Sequence, residues 1–254
     1  MHQPTARVIK ILESVASDKK GKRLTELSVE LNIPKSTLLP ILQSLCEMGY
    51  LTQKSGGLYF MGLSLFSMCA SFAGRFPVLE FVKKELNSLV ELFDETCYFG
   101  ILEGANVLYI EKSESTNPLR MLVDTGRRLP AYATGVGKAL LVDKSESELL
   151  ALYPEGLKPL TDRTVTDFKR LKSELTVARS TGYVEEIEES TAHIRCYGVP
   201  IRKSGRTVAA ISMAIPTFRF NEDKGGEIRH ALMECAKRIS DTLDKTNIDL
   251  EEII

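Results

Sequence analysis

The sequence predicts an α+β chain of 254 residues in three parts: an N-terminal winged helix-turn-helix over 1–62, a linker helix over 63–76, and a GAF or profilin-like α+β domain over 77–254. Two observations carry the first part. Leu38, Ile41, Leu42 and Leu45 fall at i, i+3, i+4 and i+7, the apolar stripe of a short helix. Two runs rich in β-formers then flank Lys54-Ser55-Gly56-Gly57, a hairpin turn. The third observation is the order helix, antiparallel strands, helices, strands, helix after position 77, which is that of an α+β domain.

In chain order, residues 5–17 read as an amphipathic helix facing inward with Val8, Ile11, Leu12 and Val15. Residues 18–23 are a charged loop broken by Gly21. Thr25 is placed to cap a helix whose stripe is Leu24, Leu27 and Leu31. Asn32-Ile33 makes the turn, and Pro34 suits the first position of the next helix, where its missing N–H costs nothing. That helix presents Ser36, Pro40, Gln43 and Glu47 outward, with Lys35, Thr37 and Leu39 at the margins. Pro40 should kink its first turn, at about 3 kcal/mol in a generic helix. Gly49 closes it. Residues 50–53 and 58–61 form the wing, with Lys54 at its tip.

Residues 63–73 carry no charge and offer Leu65, Phe66, Met68, Cys69 and Phe72 for packing, as expected of a linker helix buried in a dimer contact. Gly74-Arg75-Phe76-Pro77 breaks the chain. A long amphipathic helix is expected over 78–96, strands over 97–103 and 106–113, and a further strand near 120–123. The stretch 131–141 ends in a helix. Helices over 146–152 and 168–180 follow, the second opened by Asp167 and closed by Gly182. Strands over 183–186, 194–203 and 207–215 precede a terminal helix over 222–245.

The apolar fraction of 43% and charged fraction of 26% describe an ordinary globular chain. No apolar run approaches the roughly 20 residues of a membrane span, and no signal-peptide pattern opens the chain, so a cytoplasmic location with no membrane partner is expected. Five scattered cysteines without a CxxC argue for reduced thiols rather than a disulfide framework. Net charge is −1, but residues 1–75 carry nine Lys/Arg against five acids, so a basic head precedes an acidic body. That split fits a nucleic-acid-binding head on a body that does not touch nucleic acid; random asymmetry is the competing reading.

A polar face at the start of a second helix is what major-groove reading requires, so Lys35, Ser36, Thr37 and Gln43 are the candidate base readers on double-stranded DNA. Lys54 and the basic loop are placed for phosphates. Thr134-Gly135-Val136-Gly137 is a glycine-flanked turn entering a helix, where backbone N–H groups converge on one spot. The competing reading is that both glycines only allow close packing. Gly137-Lys138 lacks the full GxxxxGK[ST] spacing, so nucleotide hydrolysis is rejected.

The order of motifs resembles the IclR family of bacterial transcription regulators. The resemblance rests on Ile33-Pro34-Lys35-Ser36-Thr37, Gly49-Tyr50-Leu51 and Leu58-Tyr59-Phe60-Met61-Gly62-Leu63 in the first part. In the second it rests on Gly126-Arg127-Arg128-Leu129-Pro130, Thr134 through Leu141, Gly182-Tyr183, Ile194-Arg195-Cys196, Gly198-Val199-Pro200 and Ala209-Ala210-Ile211-Ser212. It implies a winged helix that dimerises on operator DNA and a C-terminal domain for a small, often carboxylate-bearing effector. Dimers or tetramers are the rule, and repression is commoner than activation. It also implies Thr134, Gly135, Val136, Glu186, Cys196 and Ser212 as effector contacts. Two departures stand out: family members often have Asp where Glu186 stands, and Ala214 replaces a polar residue, so the effector should be less polar or larger than a two-carbon oxoacid. Many members also carry Arg where this chain has Pro40.

Competing readings remain for those contacts. Glu186 lies in an acidic run with Glu185, Glu188 and Glu189, of the kind usually solvated, and Cys196 suits an inert core position. No cofactor or metal is expected: His193 and Cys196 are two ligands where zinc wants four. An enzyme is the alternative class, as is a winged helix used only for protein contacts. With His2, His193 and His230 the only histidines and no G-x-S-x-G or H-E-x-x-H, Cys196 near His193 is the sole nucleophile–base candidate. Three apart on one strand, they would lie on opposite faces.

Overall fold

Helix α1 (Gln3–Ala16) buries Ile11 and Val15 against α2 (Leu24–Glu30) and α3 (Lys35–Glu47), which contribute Leu27, Leu38, Leu42 and Leu45. The computed structural model describes residues 2–73 and 78–245, the side chains of 71–73 excepted. The chain divides after position 77 into two compact units. In the first, β1 (Lys22–Arg23), β2 (Leu51–Lys54) and β3 (Leu58–Met61) form an antiparallel sheet in the order β1-β3-β2.

Three details differ from the sequence reading. Arg23, not Thr25, caps α2: the Glu26 carboxylate accepts from the Arg23 N–H at 2.6 Å, and Thr25 sits two residues too far in. Pro34 is the residue before α3 rather than its first. Part of the expected charged loop is β1, whose Lys22 and Arg23 pair with Tyr59 and Leu58. Gly49, at φ +76°, does close α3, the Tyr50 N–H donating to the Leu45 carbonyl at 2.9 Å. Helix α4 (Leu63–Ala73) follows, with Leu63 85% and Phe66 73% exposed. The break expected at Gly74-Arg75-Phe76-Pro77 lies outside the described residues, as does the side chain of Phe72.

The second unit begins with α5 (Val78–Phe93), which ends three residues short of expectation. Asp94 turns at φ +50°, and its carboxylate accepts from the Thr116 N–H at 2.8 Å. Next come β4 (Thr96–Glu103) and β5 (Asn106–Ser113). The strand expected near 120–123 is absent. Met121 and Val123 are buried as a strand would bury them, but the Tyr98 hydroxyl satisfies this backbone: it donates to the Met121 carbonyl at 2.7 Å and accepts from the Val123 N–H at 3.2 Å. The third strand of this region is instead β6 (Arg128–Pro130).

A 3-10 turn (Ala131–Ala133) leads into α6 (Gly135–Leu141), followed by α7 (Glu146–Leu152) and α8 (Phe168–Thr181). Asp167 caps α8 and Gly182 ends it at φ +86°. Strands β7 (Val184–Ile187), β8 (Ile194–Lys203) and β9 (Arg206–Pro216) and helix α9 (Glu222–Lys245) complete the unit. The six strands form one antiparallel sheet in the order β6-β5-β4-β9-β8-β7. Alternation sorts its side chains. Cys97, Phe99, Tyr197, Val199, Ile211 and Met213 pack with α5 and α9, while Tyr98, Cys196, Ala210 and Ala214 share a core with α6 and α8.

Helix α6 lies on the second face at backbone contact. A Cβ on Gly198 would stand 2.0 Å from the Gly135 carbonyl oxygen, and one on Gly135 would stand 2.8 Å from the Cys196 Cβ. Gly198→Ala is therefore expected to cost about 1–3 kcal/mol or more in urea denaturation, because backbone must move rather than a flexible side chain. A loss near zero would mean that α6 does not sit this close.

Candidate nucleic-acid face and ligand site

In the first unit Lys35, Ser36, Thr37 and Gln43 all lie on the exposed side of α3, opposite buried Leu38, Leu42 and Leu45. The helix runs unbroken from Lys35 to Glu47 through Pro40. Lys54 ends β2 at the wing tip, exposed, with its Nζ 4.8 Å from the Phe60 ring centroid. Its cation leans on the wing rather than standing free. In the preceding loop Lys22 is engaged: its ammonium donates to Ser14 Oγ at 3.0 Å and pairs with Glu30.

In the second unit the six expected ligand residues converge on one face of the sheet. Thr134 caps α6, its Oγ1 accepting from the Gly137 N–H at 3.0 Å. Gly135 sits over Cys196 and Ser212, and Val136 against Gly100. Glu186, Cys196 and Ala214 stand directly opposite one another across β7, β8 and β9, and Ser212 lies between Gly198 and Tyr98 in register. All six are buried. With only seven residues, α6 has a short dipole, so the helix end is a weaker attraction for an anion than the sequence reading assumed.

The acidic run is not a solvated face. Glu185 accepts from Arg195 Nε at 2.7 Å, and Glu188, at φ +60°, accepts from the His193 N–H at 3.1 Å. Glu186 is 0% exposed and Glu189 is buried beside it. Glu186 Oε1 accepts from the N–H groups of Glu189 and Ser190, at 2.5 and 3.1 Å, but its buried Oε2 has no hydrogen-bond partner among the described residues. Burial pushes this carboxyl up to about 7 from an ordinary 4.5, against the pull of those N–H groups and of the Cys196 thiol. Burial likewise holds Cys196 well above the usual thiol range, so it is a neutral thiol. His193 is 85% exposed in its side chain and not beside it.

Sequence reasoning missed Lys138. It is 1% exposed on a wholly buried helix, and its ammonium donates to Glu174 Oε2 at 2.7 Å and to Glu189 Oε1. The signal was present: a lone lysine inside the apolar run 131–142 must be buried, and a buried cation demands an acid partner. Beside it, between α8 and β7, opens a cleft of about 700 Å³ whose walls include Arg163, Arg170, Glu174 and Tyr183. None of the six expected ligand residues lines that cleft. Among the described residues no group of three His, Cys, Asp or Glu side chains is placed to hold a metal, and no helix is long and apolar enough to cross a membrane.

The Glu186 titration makes stability depend on pH. As pH rises from about 4.5 towards 7 the unfolded chain gives up a proton that the folded chain keeps, so stability falls; above 7 the penalty, roughly 3 kcal/mol, is constant. Glu186→Gln keeps the shape and removes the charge. Its melting temperature should change less than that of the parent between pH 8 and pH 5, both as rough settings either side of the transition. Parallel pH profiles would show that Glu186 does not titrate in this way.

A family model described as the IclR helix-turn-helix domain matches residues 4–55, and one described as the bacterial transcriptional regulator IclR C-terminal matches residues 70–241. The chain is 32% identical over 238 residues to the HTH-type transcriptional regulator KdgR of Escherichia coli, covering 92% of this chain and 90% of that protein. It is 30% identical to the HTH-type transcriptional repressor AllR of the same species, over 95% and 90% of the two chains. The crystal structure of the Thermotoga maritima IclR superposes with a TM-score of 0.78 at 27% identity, covering 96% of this chain and all of that one. This chain belongs to the IclR family of bacterial DNA-binding transcriptional regulators.

Proposed function

We propose that this regulator is a cytoplasmic repressor that binds double-stranded operator DNA as a dimer or tetramer and is controlled by a small carboxylate-bearing metabolite. The single observation that carries the ligand reading is the free Oε2 of Glu186 in a buried polar cluster. An unpartnered buried oxygen costs about 1–3 kcal/mol, which a ligand donor in that place removes. Thr134, Gly135, Val136, Cys196 and Ser212 would make the other contacts. Ala214, opposite Cys196, narrows the polar part of the site, in keeping with a less polar or larger acid. The cleft between α8 and β7 supports a second reading, in which the ligand sits there instead.

The exposed apolar residues Leu63, Phe66 and Met68 of α4 favour self-association through that helix. The enzyme alternative finds little support, since the Cys196 thiol is held neutral and the His193 ring lies at the surface.

On DNA, Lys35, Ser36, Thr37 and Gln43 read bases, and Lys54 with the exposed cations of the basic loop meets phosphates. Gln43→Ala should cost about 1–3 kcal/mol on the promoter of its own gene and little on unrelated DNA, measured by fluorescence anisotropy. Pro40→Arg should tighten binding and steepen its salt dependence by about one counterion per half-site. If neither changes, α3 does not face DNA. A thermal-shift screen of small carboxylates tests the control: an acid at about 100 times its Kd adds roughly 2.7 kcal/mol of stability. That same acid should change promoter affinity, and a stabilising acid without effect on DNA binding would refute the regulatory reading.

A further inference from the structure

Lys138 is a costly residue to bury, and a buried ion pair is seldom worth more than apolar residues of the same volume. Its connections indicate what it does. It lies four residues after Thr134, so its stem leaves the helix that carries Thr134, Gly135 and Val136. Its ammonium binds Glu189, just beyond β7. Glu189 is held on every side: Oε2 accepts from the Val165 N–H at 3.1 Å and its carbonyl from Thr164 Oγ1 at 2.6 Å. Its own N–H is one of the two that hold Glu186 Oε1. On the solvent side, Glu174 accepts from both Lys138 and Arg170 Nε, the latter at 3.1 Å. A continuous chain of contacts therefore runs from Arg170 at the surface cleft through Glu174, Lys138 and Glu189 to Glu186.

We propose that Lys138 and Glu189 are positioning residues for the ligand site: they tie α6 to β7 and hold the Glu186 carboxyl so that one oxygen is engaged and the other is left for the ligand. This rests on the reading of Glu186 as a ligand contact. The groups facing Glu186 are the Cys196 thiol from β8, the Tyr109 phenol from β5 and the Glu189 carboxylate, all neutral or negative. Lys138 is the cation that offsets Glu189. Without it, a second buried negative charge stands beside Glu186 and favours its protonated form, in which the free oxygen becomes a hydroxyl donor instead of an acceptor.

The test compares Lys138→Met, the milder Glu174→Gln and the parent in two measurements on the full-length protein. In the first, melting temperature is followed against pH without ligand. Lys138→Met should move the Glu186 inflection up by about one pH unit or more, and Glu174→Gln, which leaves Lys138 wholly to Glu189, should move it down. Adding Glu186→Gln should erase the inflection in each background. A Lys138 that is only a structural brace would lower every melting temperature equally at all pH values and leave the inflection in place, which would overturn the proposal. If Lys138→Met does not fold, the direction of the Glu174→Gln shift decides. In the second, lactate and mandelate, acids whose hydroxyl can donate to Glu186 Oε2, are titrated calorimetrically at pH 7.5, a rough setting just above the Glu186 transition; an acid that binds the parent should bind Lys138→Met about threefold more weakly or worse, because a shift of one pH unit leaves about a third as much ionised Glu186. Unchanged affinity there overturns the proposal. If neither acid binds the parent, the ligand reading fails for these carboxylates, and the first measurement still decides whether Lys138 governs Glu186.

Discussion

Backbone contact between α6 and the six-stranded sheet is the constraint on which the second unit depends. The Gly135 carbonyl occupies the space where any side chain at position 198 would begin, and Gly135 itself has room for nothing beside Cys196. A helix laid that deep is buried on every side. Its one charged residue is buried with it, and acids come to that residue: Glu174 from α8 and Glu189 from beyond β7. The placement of Glu189 in turn aligns the N–H groups that hold Glu186. Close packing at two glycines thus propagates, through the need to neutralise one lysine, into the orientation of a carboxylate with a free oxygen. The two readings of Thr134 to Gly137, packing and binding, are not alternatives, since the packing creates the polar cluster.

The first unit solves a simpler problem. Its three helices share one small core, and the small sheet needs only Leu51 and Tyr59 inside. Everything on the outer side of α3 is then free of structural duty. Pro40 fits that division, because an exposed proline in the second turn of a helix disturbs only the backbone beneath it. Ser44 Oγ donates to the Pro40 carbonyl at 3.0 Å, one turn beyond the Ser36 carbonyl that the proline leaves without its helical donor.

Where residues follow a period, the fold was legible in the sequence. The stripe Leu38, Leu42, Leu45, the strand Asn106–Ser113 and the helix Glu222–Lys245 appear as read. Elements defined by pairing alone were not: β1 has two residues and β6 three, and neither has room for a period. The segment 120–123 carries an alternating pattern without a strand, because a tyrosine hydroxyl replaces the neighbour a strand would need. The acidic run misled for a related reason. Glu189 is paired by a lysine about fifty residues away in sequence, and the N–H of that same Glu189 holds Glu186, so no local pattern separates a solvated acid from one drawn inward by Lys138. The grouping of Thr134, Gly135, Val136, Glu186, Cys196 and Ser212 was reached through family resemblance, since those residues come together only once β7, β8 and β9 are paired.

The most direct measurement is a crystal structure of the full-length protein grown with the carboxylic acid that stabilises it most. The expected result is ligand density against Glu186, on the sheet face that carries Cys196 and Ser212, with a donor of the ligand, or a water it holds, on Glu186 Oε2. Density in the cleft between α8 and β7, with Glu186 Oε2 still unpartnered, would contradict it.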